Sequence, residues 1–176
     1  DPSGSTPLHK AVFNGRLEIV RSLLDHEKTD PNLQNLSGST PLHSAADHGY
    51  LQIVQCLLAN EKTNPNLQNK WGSTPLHKAV FNGHLSIVNC LLGHQKTDPN
   101  LQDISGFTPL HYAAKNGYLQ IVRSLLDHEK TDPNLQNTSG TTPLHYAAEN
   151  GYLSIVRCFL DHLRQQNAQA RATDER

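Results

Sequence analysis

The chain has 176 residues, enough for one ordinary globular domain or for a linear array of smaller units. Fifteen basic residues against sixteen acidic ones leave a formal charge of -1, and no block of like charge is long enough to hold a polyanion, so nucleic acid is not an expected partner. No apolar run approaches the roughly 20 residues that cross a bilayer, so no membrane association is expected either; Cys56, Cys90 and Cys158 are too few to staple a secreted scaffold, which points to a reducing, intracellular and cytoplasmic setting.

A linear array is favoured by self-similarity. The phrase Thr-Pro-Leu-His starts at Thr6, Thr40, Thr74, Thr108 and Thr142, 34 residues apart each time. Taking the first copy in chain order, Thr6 before Pro7 reads as a helix N-cap with proline at the first helical position, where its missing N–H costs nothing. A short helix follows, and Asn14-Gly15 closes it with a residue that tolerates positive φ. Leu17, Ile19, Val20, Leu23 and Leu24 then carry the spacing of an amphipathic helix with one apolar face. The polar stretch from His26 to Asn35 has turn residues at both ends and predicts a projecting, hairpin-like loop, with Leu33, Leu67, Leu101 and Leu135 expected to anchor it. The same sequence of elements recurs in every copy, so each unit is a helix pair. Leu8, Leu42, Leu76, Leu110 and Leu144 form one apolar column, and Ile19, Ile53, Ile87, Ile121 and Ile155 a second; both are expected to be buried between units. The first unit looks like an internal one, so further units are expected before Asp1. After Leu160 the pattern gives way to a polar stretch that predicts a capping extension of the last helix over 161–176.

Gly-x-Thr-Pro-Leu-His-x-Ala-Ala-x-x-Gly followed by x-Leu-x-Ile-Val-x-x-Leu-Leu, five times in register across residues 4–160, resembles the ankyrin repeat closely. The resemblance implies an all-α solenoid of helix-turn-helix units with hairpin-like loops, a single domain over 1–176 divided as 1–34, 35–68, 69–102, 103–136 and 137–163. It departs from the family in lacking the usual Gly-Ala-Asp after the second helix and in running one residue longer. A tetratricopeptide array has a similar period, but its Trp, Leu-Gly and Tyr landmarks are missing. The resemblance also implies that His9, His43, His77, His111 and His145 brace the N-cap Thr locally. Asn32, Asn66, Asn100 and Asn134 stand where asparaginyl hydroxylases act on such repeats, although Pro31 and its counterparts replace the usual aliphatic neighbour.

Eleven histidines invite a metal reading. Side chains one unit apart ride on helices about 8 to 10 Å from each other, too far to share an ion that each ligand must approach within about 2.1 Å. The cysteines share one column and face the same obstacle to pairing. No phosphate-binding loop, nucleophile elbow or carboxylate pair is present, so no metal, cofactor or catalytic residue is assigned and an enzyme is not expected.

Binding is then expected at columns that vary on the concave face. Positions three apart on each first helix project together, which selects Lys10 and Phe13, Ser44 and Asp47, Lys78 and Phe81, Tyr112 and Lys115, Tyr146 and Glu149. The loop tips add Leu36, Lys70, Trp71, Ile104, Phe107 and Thr138. Large aromatics beside charges are typical of protein-binding surfaces; the same aromatics packed on one another would merely stiffen the groove. The expectation is a monomer that binds a protein or peptide partner through this face, with a passive spacer or targeting module of a larger chain as the alternative.

Overall fold

The computed structural model describes residues 2–174, with side chains up to residue 168. Ten helices are described, and no strand occurs among the described residues. The helices are α1 (Pro7–Phe13), α2 (Leu17–Leu24), α3 (Pro41–His48), α4 (Leu51–Ala59), α5 (Pro75–Phe81), α6 (Leu85–Leu92), α7 (Pro109–Asn116), α8 (Leu119–Leu126), α9 (Pro143–Glu149) and α10 (Leu153–Asp174). Odd-numbered helices pack in one row and even-numbered helices in another, each pair against the next. The expected C-terminal extension is helical through Asp174; residues 175 and 176 lie outside the described residues.

Each first helix starts as its sequence dictates. Thr6, in extended conformation, accepts from His9 N, and Pro7 opens the helix. The N-cap Thr and the motif His close a reciprocal capping box, with His in the place usually taken by Glu or Gln. Because Thr6 N donates to His9 Nδ1 at 3.2 Å, the ring proton sits on Nε2, which donates to Ser39 O in the following unit at 2.9 Å. His43, His77 and His111 repeat this reach to Ser73 O, Phe107 O and Thr141 O. One neutral imidazole thus both caps its own helix and ties it to the next unit.

Glycine is required where this stacking is tight. Gly117 ends α7 at φ 78°, and a Cβ there would lie 2.9 Å from Cζ of Tyr152. Tyr50 and Tyr118 sit likewise against Gly15 and Gly83 of the preceding unit, as their place at the start of the second helix suggests.

The two apolar columns face opposite flanks. Leu8, Leu42, Leu76 and Leu110, each with a unit after it, are buried while Leu144 in the last unit is only half-buried; Ile53, Ile87, Ile121 and Ile155, each with a unit before it, are buried. Ile19, expected in the buried column, is 53 % exposed because no helix pair lies on that side of α2 among the described residues. Ala45, Ala79, Ala113 and Ala147 are fully buried and let the first helices pack closely.

The loops are anchored differently from expectation. Leu33 is 48 % exposed, and Leu67, Leu101 and Leu135 are only half-buried. The buried residues of these loops include Thr63, Thr97 and Thr131, Pro31, Pro65, Pro99 and Pro133, and the tip residues Asn69 and Asn137. Polar ladders supply the remaining order. Asn32 Nδ2 donates to Lys62 O at 2.7 Å while its Oδ1 accepts from Asn64 N at 2.8 Å, and Asn66 and Asn100 make the same clasp one and two units on. Gln34, Gln68 and Gln102 each donate to the backbone of the next unit's Gln. Backbone groups that would otherwise be orphaned in an open loop are paired in this way.

Candidate functional site

The variable columns lie on the first helices and the adjoining loop tips. Each tip is shaped by one residue at its base: Asn35, Asn69, Asp103 and Asn137 accept, through Oδ1, from backbone N–H groups two and four residues ahead. At Asp103 and Asn137 the other terminal atom meets the hydroxyl of the tyrosine nine residues on, Tyr112 and Tyr146; after Asn35 and Asn69 that position is held by Ser44 and Lys78. Helix and turn signals do not mark this column. Its visible signal is an Asn or Asp at every tip, nine residues before a variable helix position.

At the C-terminal end the aromatics satisfy one another. Phe107 packs on Tyr112 and Tyr146 with centroids 5.0 and 5.3 Å apart. Lys115 Nζ lies 5.3 Å from the Phe107 centroid and 5.5 Å from that of Tyr146. Tyr112 Oη donates to Asp103 Oδ2 at 2.6 Å, and Tyr146 Oη accepts from Asn137 Nδ2 at 2.9 Å. Burial, reinforced by the bond to Asp103, pushes the Tyr112 phenol well above its usual range. Phe107, Tyr112 and Tyr146 are half-buried as a result.

The N-terminal part is more open. Phe13, Phe81 and Trp71 are 58 %, 55 % and 52 % exposed. Phe13 meets His48 edge-on at 5.0 Å, and His48 stacks on Tyr50 at 5.6 Å; His48 was not among the expected site residues. Phe81 meets the edge of Tyr112 at 5.6 Å. Lys78 Nζ pairs with Asp47 Oδ1 at 3.5 Å, and Asn82 Nδ2 donates to the same oxygen at 3.2 Å. Lys10, Lys70 and Glu149 are exposed, as are the tip residues Leu36 and Ile104. The expected residues therefore divide between a self-packed cluster of Phe107, Tyr112, Lys115 and Tyr146 and an exposed stretch of Phe13, Trp71 and Phe81 edged by charges.

Elsewhere the perturbed groups have structural causes. Burial lowers His43 and His77 to about 4 against the opposing bonds to Ser73 and Phe107, and it lowers His9 and His111 in the same sense. Burial pushes the thiols of Cys56, Cys90 and Cys158 up, away from the reactive thiolate. Among the described residues, no group of three or more His, Cys, Asp or Glu side chains is placed to hold a metal ion, and no helix is long and apolar enough to cross a membrane.

The profile of the family described as ankyrin repeats (3 copies) matches residues 1–68, 49–137 and 125–174, so that it spans nearly the whole chain. No curated protein matches the sequence. Ankyrin repeats are generally protein–protein interaction modules. With the helix pairs, the Thr-Pro-Leu-His caps and the sequential stacking all in agreement, the chain belongs to the ankyrin repeat family.

Proposed function

We propose that this chain binds a partner protein or peptide through the face made by its first helices and loop tips, and that it works as an interaction scaffold and not as a catalyst. The observation that carries the reading is the exposure of Phe13 and Phe81 at the ends of first helices and of Trp71 at a loop tip. Each lies outside the buried core that joins the units, so packing of the stack does not account for them. Large aromatics that remain half in water provide the rigid apolar contact area from which binding hot spots are built. Lys10, Lys70, Lys78 and Asp47 lie in the same or the adjoining units with both signs of charge, the polar rim of such a surface. Lys115, Tyr112, Tyr146 and Phe107 hold the neighbouring stretch rigid, which reduces the entropy lost when a partner docks.

Affinity capture from a lysate, with the wild-type chain and a Phe13→Ala/Trp71→Ala/Phe81→Ala variant, tests the reading. All three side chains are exposed, so the variant retains the core. Selective loss of captured partners is the expected result. Equal recovery of every partner by both proteins would overturn the binding face and leave a passive spacer.

A further inference from the structure

Between α1 and α3, on the proposed binding face, lies a pocket of about 220 Å³ lined by Ser5, His9, Lys10, Phe13, Asn35 and Ser44. Its walls recur two units on. Ser5, His9, Lys10 and Phe13 correspond to Ser73, His77, Lys78 and Phe81, residue for residue, but Asn35 corresponds to Asp103 and Ser44 to Tyr112. In that later unit the tyrosine ring fills the space: Tyr112 meets His77 edge-on at 6.1 Å and Phe81 at 5.6 Å, with its hydroxyl on Asp103. The next unit repeats the arrangement with Tyr146 against Phe107 and His111, where the hydroxyl accepts from Asn137 Nδ2. Asn35 stands at the position of Asn137. Its Oδ1 is held by Ser37 N and Ser39 N as that of Asn137 is held by Ser139 N and Thr141 N, which turns Nδ2 toward the place of the missing ring. In the unit between, Lys78 holds the corresponding position, with its ammonium drawn to Asp47.

We propose that the pocket between His9 and Phe13 receives the phenol ring of a tyrosine from the partner, with its hydroxyl accepting from Asn35 Nδ2. This inference rests on the binding-face reading and specifies one residue of the ligand. The chain supplies its own template: the same walls hold a tyrosine at position 112, and the same Asn amide meets a tyrosine hydroxyl at position 146. Ser44 lines the pocket but brings no ring to it, so the space that tyrosine fills in the later units is left open to a ring from outside. A phenylalanine would fill the walls but leave the Asn35 donor without an acceptor, which a site built around a hydroxyl penalises.

Titration of the isotope-labelled full chain with p-cresol, the tyrosine side chain, and toluene, the phenylalanine side chain, followed by amide NMR, tests the inference directly. Saturable shifts of the Asn35 side-chain amide and of His9 are expected with roughly millimolar affinity for p-cresol, and roughly 3- to 10-fold weaker binding for toluene. Ser44→Tyr should fill the pocket from within, remove the p-cresol shifts and raise the melting temperature by roughly 2 °C. Absence of saturable shifts at Asn35 in the wild type, equal affinity for the two probes, or p-cresol shifts that persist in a folded Ser44→Tyr protein would each overturn the proposal. The wild-type comparison of the two probes decides it even if Ser44→Tyr does not fold. Partner capture lost in the triple variant without a p-cresol site refutes the pocket alone. A p-cresol site with partner capture unaffected refutes the binding face alone.

Discussion

Mild acid should loosen the stack through its histidines. His43 and His77 are buried, and burial has drawn both from the usual 6.5 to about 4. The geometry explains why. Nδ1 of each ring already accepts from the N-cap Thr backbone, at 3.1 Å in both cases, and a second ring proton would face that N–H directly. The folded pKa lies below the unfolded one, so the unfolded chain binds more protons between the two values. The stabilisation is therefore complete above about pH 6.5, falls as the pH drops, and is lost by about pH 4. At about pH 5 linkage assigns roughly 2 kcal/mol to each ring, so about 4 kcal/mol to the pair. His9 and His111, lowered in the same direction, act in the same sense. The assay is urea unfolding followed by far-ultraviolet circular dichroism at about pH 7.5 and about pH 5, on the wild type and on His43→Gln/His77→Gln. Glutamine cannot titrate, so the double variant should be less stable at neutral pH but lose several kcal/mol less between the two conditions. If the wild type and the double variant lose the same stability on acidification, the buried histidines are not the acid-sensitive element.

Other perturbations probe the remaining links. Leu110→Asp places a charge at a buried position between the fourth and fifth units and should cost upwards of 3 kcal/mol, read as a marked loss of helical signal at ambient temperature. Gly106→Ala puts a Cβ 2.7 Å from Thr138 N at a φ of 75° and should destabilise by roughly 1 to 3 kcal/mol in denaturant unfolding, whereas Gly93→Ala, at a negative φ with no close contact, should not. Asn66→Ala removes a clasp that bridges two loops; a loss of about 1 to 2 kcal/mol and faster hydrogen exchange at Asp98 N are expected. Lys115→Ala uncovers the Phe107 and Tyr146 rings and should cost about 1 kcal/mol or less, since the ammonium is partly in water.

Much of the fold was legible because its signals are local. The Thr N-cap, Pro at the first helical position and the glycine close each first helix within a few residues, and none needs a distant partner. Apolar spacing marked the second helices for the same reason, and the 34-residue period placed equivalent residues in columns. Those columns did not say which flank each one faces. That Leu8 is covered while Ile19 is not depends on which side a neighbouring unit lies. The loop order was hidden too, since the clasps of Asn32, Asn66 and Asn100 join atoms about one period apart in the chain. The aromatic positions could be counted from the sequence, but their fates diverge through side chains supplied by the next unit. Phe107, Tyr112 and Tyr146 bury one another, Phe81 keeps an open face beside Tyr112, and Phe13 looks onto the space that Ser44 leaves. Sequence alone determined the repeating helix pair, because capping and amphipathic spacing act within one unit. Only stacking decided which surfaces are left over, because exposure is a property of what the neighbouring unit brings.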